Sequence, residues 1–599
     1  MCGIWLLLSK TAGFTVDQFK AFSRFSNRGP DYTQRISMNL KNFPMKTLSL
    51  GFHRLSIMDM TMKGSQPFEI VEGPRTVYLM CNGEIYNFEF LTQMLKTEHN
   101  VTMQSGSDCE VLPYLYIHYG FDKMLKMLHT AEFAIILVDH NIDTDTYEFY
   151  CARDHTGVRP LYFGISTDSI CFSSQLDGIP DIDTVIANQF PPGCYVHFTM
   201  NSGVGMDCQL TDKIVKYYDI EKHAVLPDMD RFIVSESSAM FNIHNMFIQV
   251  VKSRLHSDRP IAALLSGGLD SSLVCAIASR ELQKEGKVLK TFSIGLPGST
   301  DKYYAEKVAK FIGSDHTHVE CTPAEFVETA KKIPGLISSY DTTTVRASTG
   351  QYLISKYISE YTEYKVLLVG DGSDELCSGY VYFHKASSAW ESHIENIRLL
   401  KDIHLYDGLR ADRCVAINGI EVRLPFLDVK FIDTYLSIDP ELRIPRDHNG
   451  TISEKYLLRK SFDNGLLPDD CLWRPKEAFS DGVSGLKKSW FQMYQEYADS
   501  QYSDEEFKEL SKEFSHYTPV SKEELLNRIN FNAAFSENVA HIVPYRWVPL
   551  EKWVGKMTEP SARVLDIYIN LTNKPLRLNL TPFTPSGSLR SPTVARAAV

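Results

Sequence analysis

The strongest constraint on how this chain folds lies near its middle. A continuous apolar run, Ile261 to Leu265, leads directly into Ser266-Gly267-Gly268-Leu269-Asp270-Ser271-Ser272 and then into a helix-forming stretch reaching about Leu282. A short strand that is apolar on both faces is a buried strand, and buried strands belong to parallel sheets covered by helices. Glycines let the backbone approach an anion, and the start of a helix offers unpaired N–H groups to hold it. Further buried runs at Leu289–Ile294 and Lys365–Val369, separated by helical stretches such as Met240–Leu255, extend the pattern. The C-terminal half therefore reads as an α/β doubly wound parallel sheet, mainly helical beyond about residue 390.

With 599 residues, one core cannot serve the whole chain. Residues 1–199 have a different texture. Short β-type runs (Thr76–Cys81, Phe133–Val138, Cys171–Ser173) alternate with turn signals at Arg28-Gly29-Pro30-Asp31, Asn82-Gly83 and Pro192-Gly193. They predict an α+β domain with antiparallel sheets. The boundaries read as 1–199 for this domain, 200–235 for a linker, 236–565 for the parallel-sheet domain, and 566–599 for a disordered tail.

Composition narrows the function classes. A net charge of −12 argues against a general nucleic-acid binder, which needs a basic face. The twelve cysteines occur singly, with no CxxC pair, so structural zinc and thioredoxin-like chemistry are poor readings and a reduced cytoplasmic protein is expected. No run approaches the length of a membrane helix, and the start MCGIWLLLSK lacks a signal peptide's basic region. The site Asn100-Val-Thr102 thus has no secretory context.

Cys2 stands apart by position. Removal of Met1 would give it a free α-amine, and an N-terminal thiol can use that amine as its own base. A lone cysteine near a terminus is ordinarily unremarkable. Here it is followed in order by Arg28-Gly29-Pro30-Asp31, His53-Arg54-Leu55-Ser56-Ile57, Cys81-Asn82-Gly83-Glu84-Ile85-Tyr86-Asn87 and Ser105-Gly106-Ser107-Asp108-Cys109-Glu110. Together these segments closely resemble the class II glutamine amidotransferase domain, an N-terminal nucleophile (Ntn) hydrolase fold. The resemblance implies that Cys2 attacks the glutamine side-chain amide. Asn82 and the backbone of Gly83 would form the oxyanion hole. Arg54 would meet the glutamine carboxylate and Asp108 its α-ammonium, with Leu55, Ser56, Ile57, Met58 and Glu84 completing the pocket. Thioester chemistry needs this set of nucleophile, base and oxyanion donors.

The string Leu264 to Ser272 is not a Walker A loop. It resembles the PP-loop of ATP pyrophosphatases, which release pyrophosphate from ATP. A second strand-ending motif, Gly370-Asp371-Gly372-Ser373-Asp374-Glu375, would bring a further carboxylate to the C-terminal edge of the same sheet, where ligands bind in such folds. ATP chemistry there calls for Mg²⁺, with Asp270 and Asp374 as the candidate ligands. The resemblance implies ATP contacts from Leu264, Ser266, Gly267, Gly268, Asp270, Ser271, Ile294, Val369 and Gly370.

The remaining motifs, among them Tyr340–Ser348, Tyr380–Ala386, Glu421–Asp428, Glu454–Arg459 and Trp473–Gly482, are similar to the glutamine-hydrolysing asparagine synthetases over roughly residues 1–565. The implied reaction adenylates the aspartate side chain with ATP-Mg and passes ammonia from the Cys2 site to the acyl-adenylate. Lys455 would neutralise phosphate charge. Asp371, where the family usually has Glu, would assist formation of the intermediate and deprotonate the incoming ammonia. Arg346 and His384 are weaker candidate substrate contacts. Other departures are His129–Ala134 for the family's LDGxFAF, Gln175 for Glu, Ser338 for Glu and Val369 for Ser. Implied partners are L-aspartate, L-glutamine and ATP, with no nucleic acid, no membrane and, by analogy with relatives, a homodimer. The alternatives are a decayed or regulatory relative, another acyl-adenylating amidotransferase on the same scaffold, and a stand-alone glutaminase.

Overall fold

A computed structural model describes residues 1–40, 43–201, 213–225, 232–485 and 488–565. The N-terminal half is built on two six-stranded sheets. The first orders β10 (Ile186–Gln189), β8 (Tyr162–Ile165), β9 (Ser169–Ser173), β1 (Gly3–Ser9), β3 (Thr47–Arg54) and β2 (Tyr32–Asn39). The second orders β12 (Ile214–Lys216), β11 (Cys194–Asn201), β7 (Thr146–Arg153), β6 (Ala131–Asn141), β5 (Arg75–Ile85) and β4 (Phe68–Glu72). Their pairings are antiparallel throughout.

The two-residue period of a strand explains why β1 is apolar along its whole length. Ile4, Leu6 and Leu8 face the core shared with Met80, Ile136 and Phe149 of the second sheet. Trp5 and Leu7 face the other way, into a cluster with Phe22, Phe531, Phe535 and Val539. The first sheet is thus covered on its outer side by residues of the C-terminal half. The outer side of the second sheet carries Val77, Leu79, Ile135 and Leu137, against Leu91, Leu95, Leu112 and Leu115 of the helices Phe88–His99 and Val111–Tyr119.

The C-terminal half holds a five-stranded parallel sheet ordered β15 (Asp315–Glu320), β14 (Lys290–Gly295), β13 (Ile261–Leu264), β16 (Val366–Leu368) and β17 (Glu421–Arg423). The chain moves outward from β13 in one direction and then returns to continue from β16 in the other. The topological switch point lies between those two strands, and both candidate ATP motifs leave the sheet there. The expected helix after the glycine loop runs Leu269–Lys284.

Two expectations need correction. Asn82-Gly83 is not a turn: both residues lie inside β5, opposite Ala134 and Phe133 of β6. The glycine is required by packing, since a Cβ there would sit 2.0 Å from the Glu132 carbonyl oxygen. The segment expected to be a linker, 200–235, instead contributes β12 to the second sheet and the helix Ile220–Val225. The tail at 566–599 lies outside the described residues.

Candidate functional site

Two clusters of functional side chains form, one in each half. In the first, β1 delivers Cys2 to the end of the N-terminal sheets. The thiol is half-buried and faces the Leu55 carbonyl at 3.6 Å. Burial pushes it up to about 11, so it needs a base to react near neutrality. Met1 is itself buried, its amine 3.6 Å from Glu421. While Met1 is attached, Cys2 has no α-amine to serve as that base.

Asn82 is fully buried, and neither its amide nitrogen nor its amide oxygen has a hydrogen-bond partner. Unpaired buried amides are costly and rare, which makes Asn82 a candidate to receive a ligand atom. Asp108 accepts a hydrogen bond from the Ile85 N–H at 2.7 Å, and burial pushes its carboxyl up to about 6. Glu84 shares the pocket and is also raised, by burial and then by Asp108 and Glu421. Arg54 is buried and spends donors on the carbonyls of Thr61 (2.6 Å) and Asp59, which folds the 55–61 loop tightly around it. That loop is gripped by the other half. The Ser56 carbonyl accepts from Arg259 at 3.0 Å, while the Ser56 N–H donates to Asp31 of its own half, which Arg259 also meets at 3.2 Å. Leu55, Ile57 and Met58 pack against Val366 of the parallel sheet.

The second cluster lines one deep cavity at the switch point of the parallel sheet. Leu264, Ser266, Gly268, Asp270, Ser271, Ile294, Val369, Gly370, Asp371, Asp374 and Lys455 all face it. Gly267 does not line it. It adopts φ +76°, with Tyr304 close behind it, and so turns the loop back into the helix. Ser266 and Ser271 face each other at 3.0 Å, and Ser373 donates to Asp270 at 2.8 Å.

Lys455 is the hub. Its ammonium lies 2.7 Å from Asp270 and 2.7 Å from Asp374, with Lys476 2.5 Å from Asp374. Burial alone would raise Asp374, but the two lysines hold it below the usual carboxylate range. Lys455 takes the left-handed backbone conformation, φ +54°, while 2% exposed. A strained, buried lysine at a cavity wall is a functional signature.

Asp371 lies 2.7 Å from Arg410, which also pairs with Asp407 at 2.6 Å and donates to Gln351 at 2.8 Å. Burial leaves Asp371 above its ordinary value despite that arginine. Two candidates fall elsewhere. Arg346 is spent on Glu523 and Glu559, each at 2.6 Å. His384 pairs with Glu454 at 2.9 Å.

Sequence reasoning did not single out Lys476, Arg410, Asp407, Gln351 or Arg474, all of which line the cavity. Lys476 and Arg474 lay in a quoted motif and could have been found from it. Arg410, Asp407 and Gln351 carry no local signal.

A cysteine next to the N-terminus and an unpaired buried amide in a layered antiparallel domain, joined to a phosphate-type glycine loop on a parallel sheet, are the features of a two-domain ATP-dependent amidotransferase. Comparison with known families agrees. Residues 1–199 match the glutamine amidotransferase domain, and residues 242–398 and 391–554 match asparagine synthase. Among curated proteins, the rat asparagine synthetase [glutamine-hydrolyzing] is 38% identical over 95% of this chain and 99% of its own length. The chicken protein of the same name is likewise 38% identical and the human one 37%, with the same coverage. The chain belongs to the glutamine-hydrolysing asparagine synthetase family.

Proposed function

We propose that this chain converts ATP, L-aspartate, L-glutamine and water to AMP, diphosphate, L-asparagine and L-glutamate. With Met1 removed, the α-amine of Cys2 takes the thiol proton and the sulfur attacks the glutamine amide carbon. Asn82 and the Gly83 N–H receive the oxyanion, ammonia leaves, and water hydrolyses the thioester. Asp108 and Glu84 face the α-ammonium of glutamine. Arg54 would have to give up at least one of its loop carbonyls to take the carboxylate.

In the second cavity the aspartate side-chain carboxylate attacks the α-phosphorus, forming β-aspartyl-AMP and releasing diphosphate. Adenylation turns a poor electrophile into one with a good leaving group. Lys455 and Lys476 offset the charge gathering on the phosphate oxygens. Asp371, with its raised proton affinity, accepts a proton from the attacking ammonia. Enclosure keeps the ammonia unprotonated and the acyl-adenylate from water.

Mg²⁺ fits the donors present: Asp270 and Asp374 both turn toward the Lys455 ammonium, 2.7 Å from each, and are the carboxylates that would hold the ion. Among the described residues no three His, Cys, Asp or Glu side chains gather around such a point. The ion would be held by those two carboxylates plus substrate phosphates. When bound it would supply charge neutralisation of the phosphates.

The reading also includes a cytoplasmic location, supported by eleven described cysteines that are all free thiols, and a homodimer by analogy with the family. The observation that carries the reaction is the presence of both clusters in one chain, Cys2 with the unpaired Asn82 amide in the N-terminal half and the Asp270–Lys455–Asp374 triad at the switch point. The test is asparagine and diphosphate production with aspartate, ATP, Mg²⁺ and either glutamine or ammonium. If adding aspartate releases no diphosphate with either nitrogen source, the substrate assignment is wrong.

A further inference from the structure

Among the buried ionic groups that the mechanism leaves unused, one cluster lies between the two halves beside the N-terminal site. Its centre is Arg423 on β17, with no exposed surface. The guanidinium Nε pairs with Glu421 at 2.8 Å, and Nη1 donates to the carbonyls of Arg254 (2.8 Å) and His256 (2.7 Å). Its Nη2 lies 3.2 Å from a carboxylate oxygen of Glu84, off the line of a full hydrogen bond. A buried guanidinium is costly unless it is paired in detail, and this one spends its last nitrogen on the other domain.

Glu84 lies two residues beyond Asn82 on β5, so the two side chains share one face of the strand. Burial, Asp108 and Glu421 all push the Glu84 carboxyl toward its neutral form, and only Arg423 and then Arg159 oppose them. Arg423 is also tied to the ATP cavity through its backbone, since its carbonyl accepts from the Val369 N–H at 3.2 Å.

We propose that Arg423, carried by the synthetase half, is a positioning residue for glutamine hydrolysis. It holds Glu84 where that carboxylate meets the α-ammonium of glutamine, so the N-terminal site is complete only when the parallel-sheet domain is docked against it. This rests on the glutaminase reading above.

The full-length protein and Cys2→Ala are assayed first for glutamate release. Absence of Cys2-dependent release would overturn the glutaminase reading itself, a different result from those that follow. Given that activity, Arg423→Gln raises KM for glutamine by about ten- to a hundredfold, the scale of a lost charge-assisted contact, with a smaller change in kcat. The acid limb of kcat/KM moves to higher pH, because Glu84 loses its largest opposing cation. Arg423→Lys recovers part of both effects. Glu84→Gln reproduces the KM change, and the double variant is no worse than the worse single. The proposal is overturned if Arg423→Gln lowers kcat alone with KM and acid limb unmoved, or if the two single losses multiply in the double variant. Should Arg423→Gln not fold, Arg423→Lys and Glu84→Gln decide the matter, and wild-type KM in both sinks the proposal.

Discussion

The two sites are built on opposite electrostatic plans. The ATP cavity is a deep chamber dense with charge, in which Asp270, Asp374, Lys455 and Lys476 lie within 4.0 Å of one another across their pairs. The Cys2 site has a half-buried thiol, a buried amide that bonds nothing, and carboxyls that burial pushes toward neutrality. Adenylation moves several full charges at once and needs fixed counter-charges. Glutamine hydrolysis develops one oxyanion on a neutral amide, and a dry pocket with oriented dipoles suits it. A polyanionic substrate demands charges already in place, whereas a zwitterionic one is met by groups that take up their charge as it binds.

Five experiments would break or sharpen that contrast. Cys2→Ala should abolish glutamine-dependent asparagine synthesis while ammonium-dependent synthesis continues; loss of both would mean the sites are not separable. Lys455→Met should do the reverse, ending aspartate-dependent diphosphate release while glutamate still forms from glutamine. Retained diphosphate release would remove Lys455 from the chemistry. Asn82→Ala should lower kcat for glutamine hydrolysis by about a hundred- to a thousandfold, the usual cost of one oxyanion donor, with a smaller change in KM. A change confined to KM would make Asn82 a binding residue only.

The fourth is a pH profile. Asp108 must be charged to hold the α-ammonium, and burial has pushed it up to about 6. Glutaminase kcat/KM should therefore fall as pH drops through about 6, toward tenfold per unit. The stability sign is opposite. The folded state holds this proton more tightly than the unfolded chain, so between the ordinary carboxyl value of 3.8 and about 6 the Asp108 contribution to stability grows as pH falls. A flat glutaminase profile down to pH 5 would show that Asp108 is not the α-ammonium partner. On the synthetase side, Asp371→Glu should change the ammonium-dependent rate by less than about tenfold, roughly 1.4 kcal/mol of barrier, because Arg410 can follow a carboxylate one methylene longer.

How much could be read in advance differs between the two halves. The parallel sheet announced itself through β13, β14 and β16, whose apolar runs and glycine ends are local. Strand β15, Asp-His-Thr-His-Val-Glu, gave no such sign, because its histidines are satisfied by polar side chains of the neighbouring strand β14. His316 bonds Thr291 and Ser293, each at 3.0 Å, and His318 bonds Ser293 at 2.8 Å. In the N-terminal half, Asn82-Gly83 suggested a turn from dipeptide propensity. Tertiary packing overrode it, since β6 passes so close to Gly83 that only glycine fits in the strand.

The sequence by itself determined what is chemically short-range: the cysteine next to the terminus, the glycine loop between strand and helix, and the carboxylates that follow strands. These are set by covalent spacing and by the few conformations that spacing permits. Only the tertiary structure decided which distant groups meet. Lys455 and Asp270 are 185 residues apart and lie at 2.7 Å. Arg28 and Asp412, 384 residues apart, form a fully buried pair at 2.7 Å. Arg423 reaches Glu84 across the domain boundary in the same way. Such pairs exist because burying a charge is unfavourable without a partner, and the partner is fixed by how two hydrophobic cores dock, a property that no local pattern encodes.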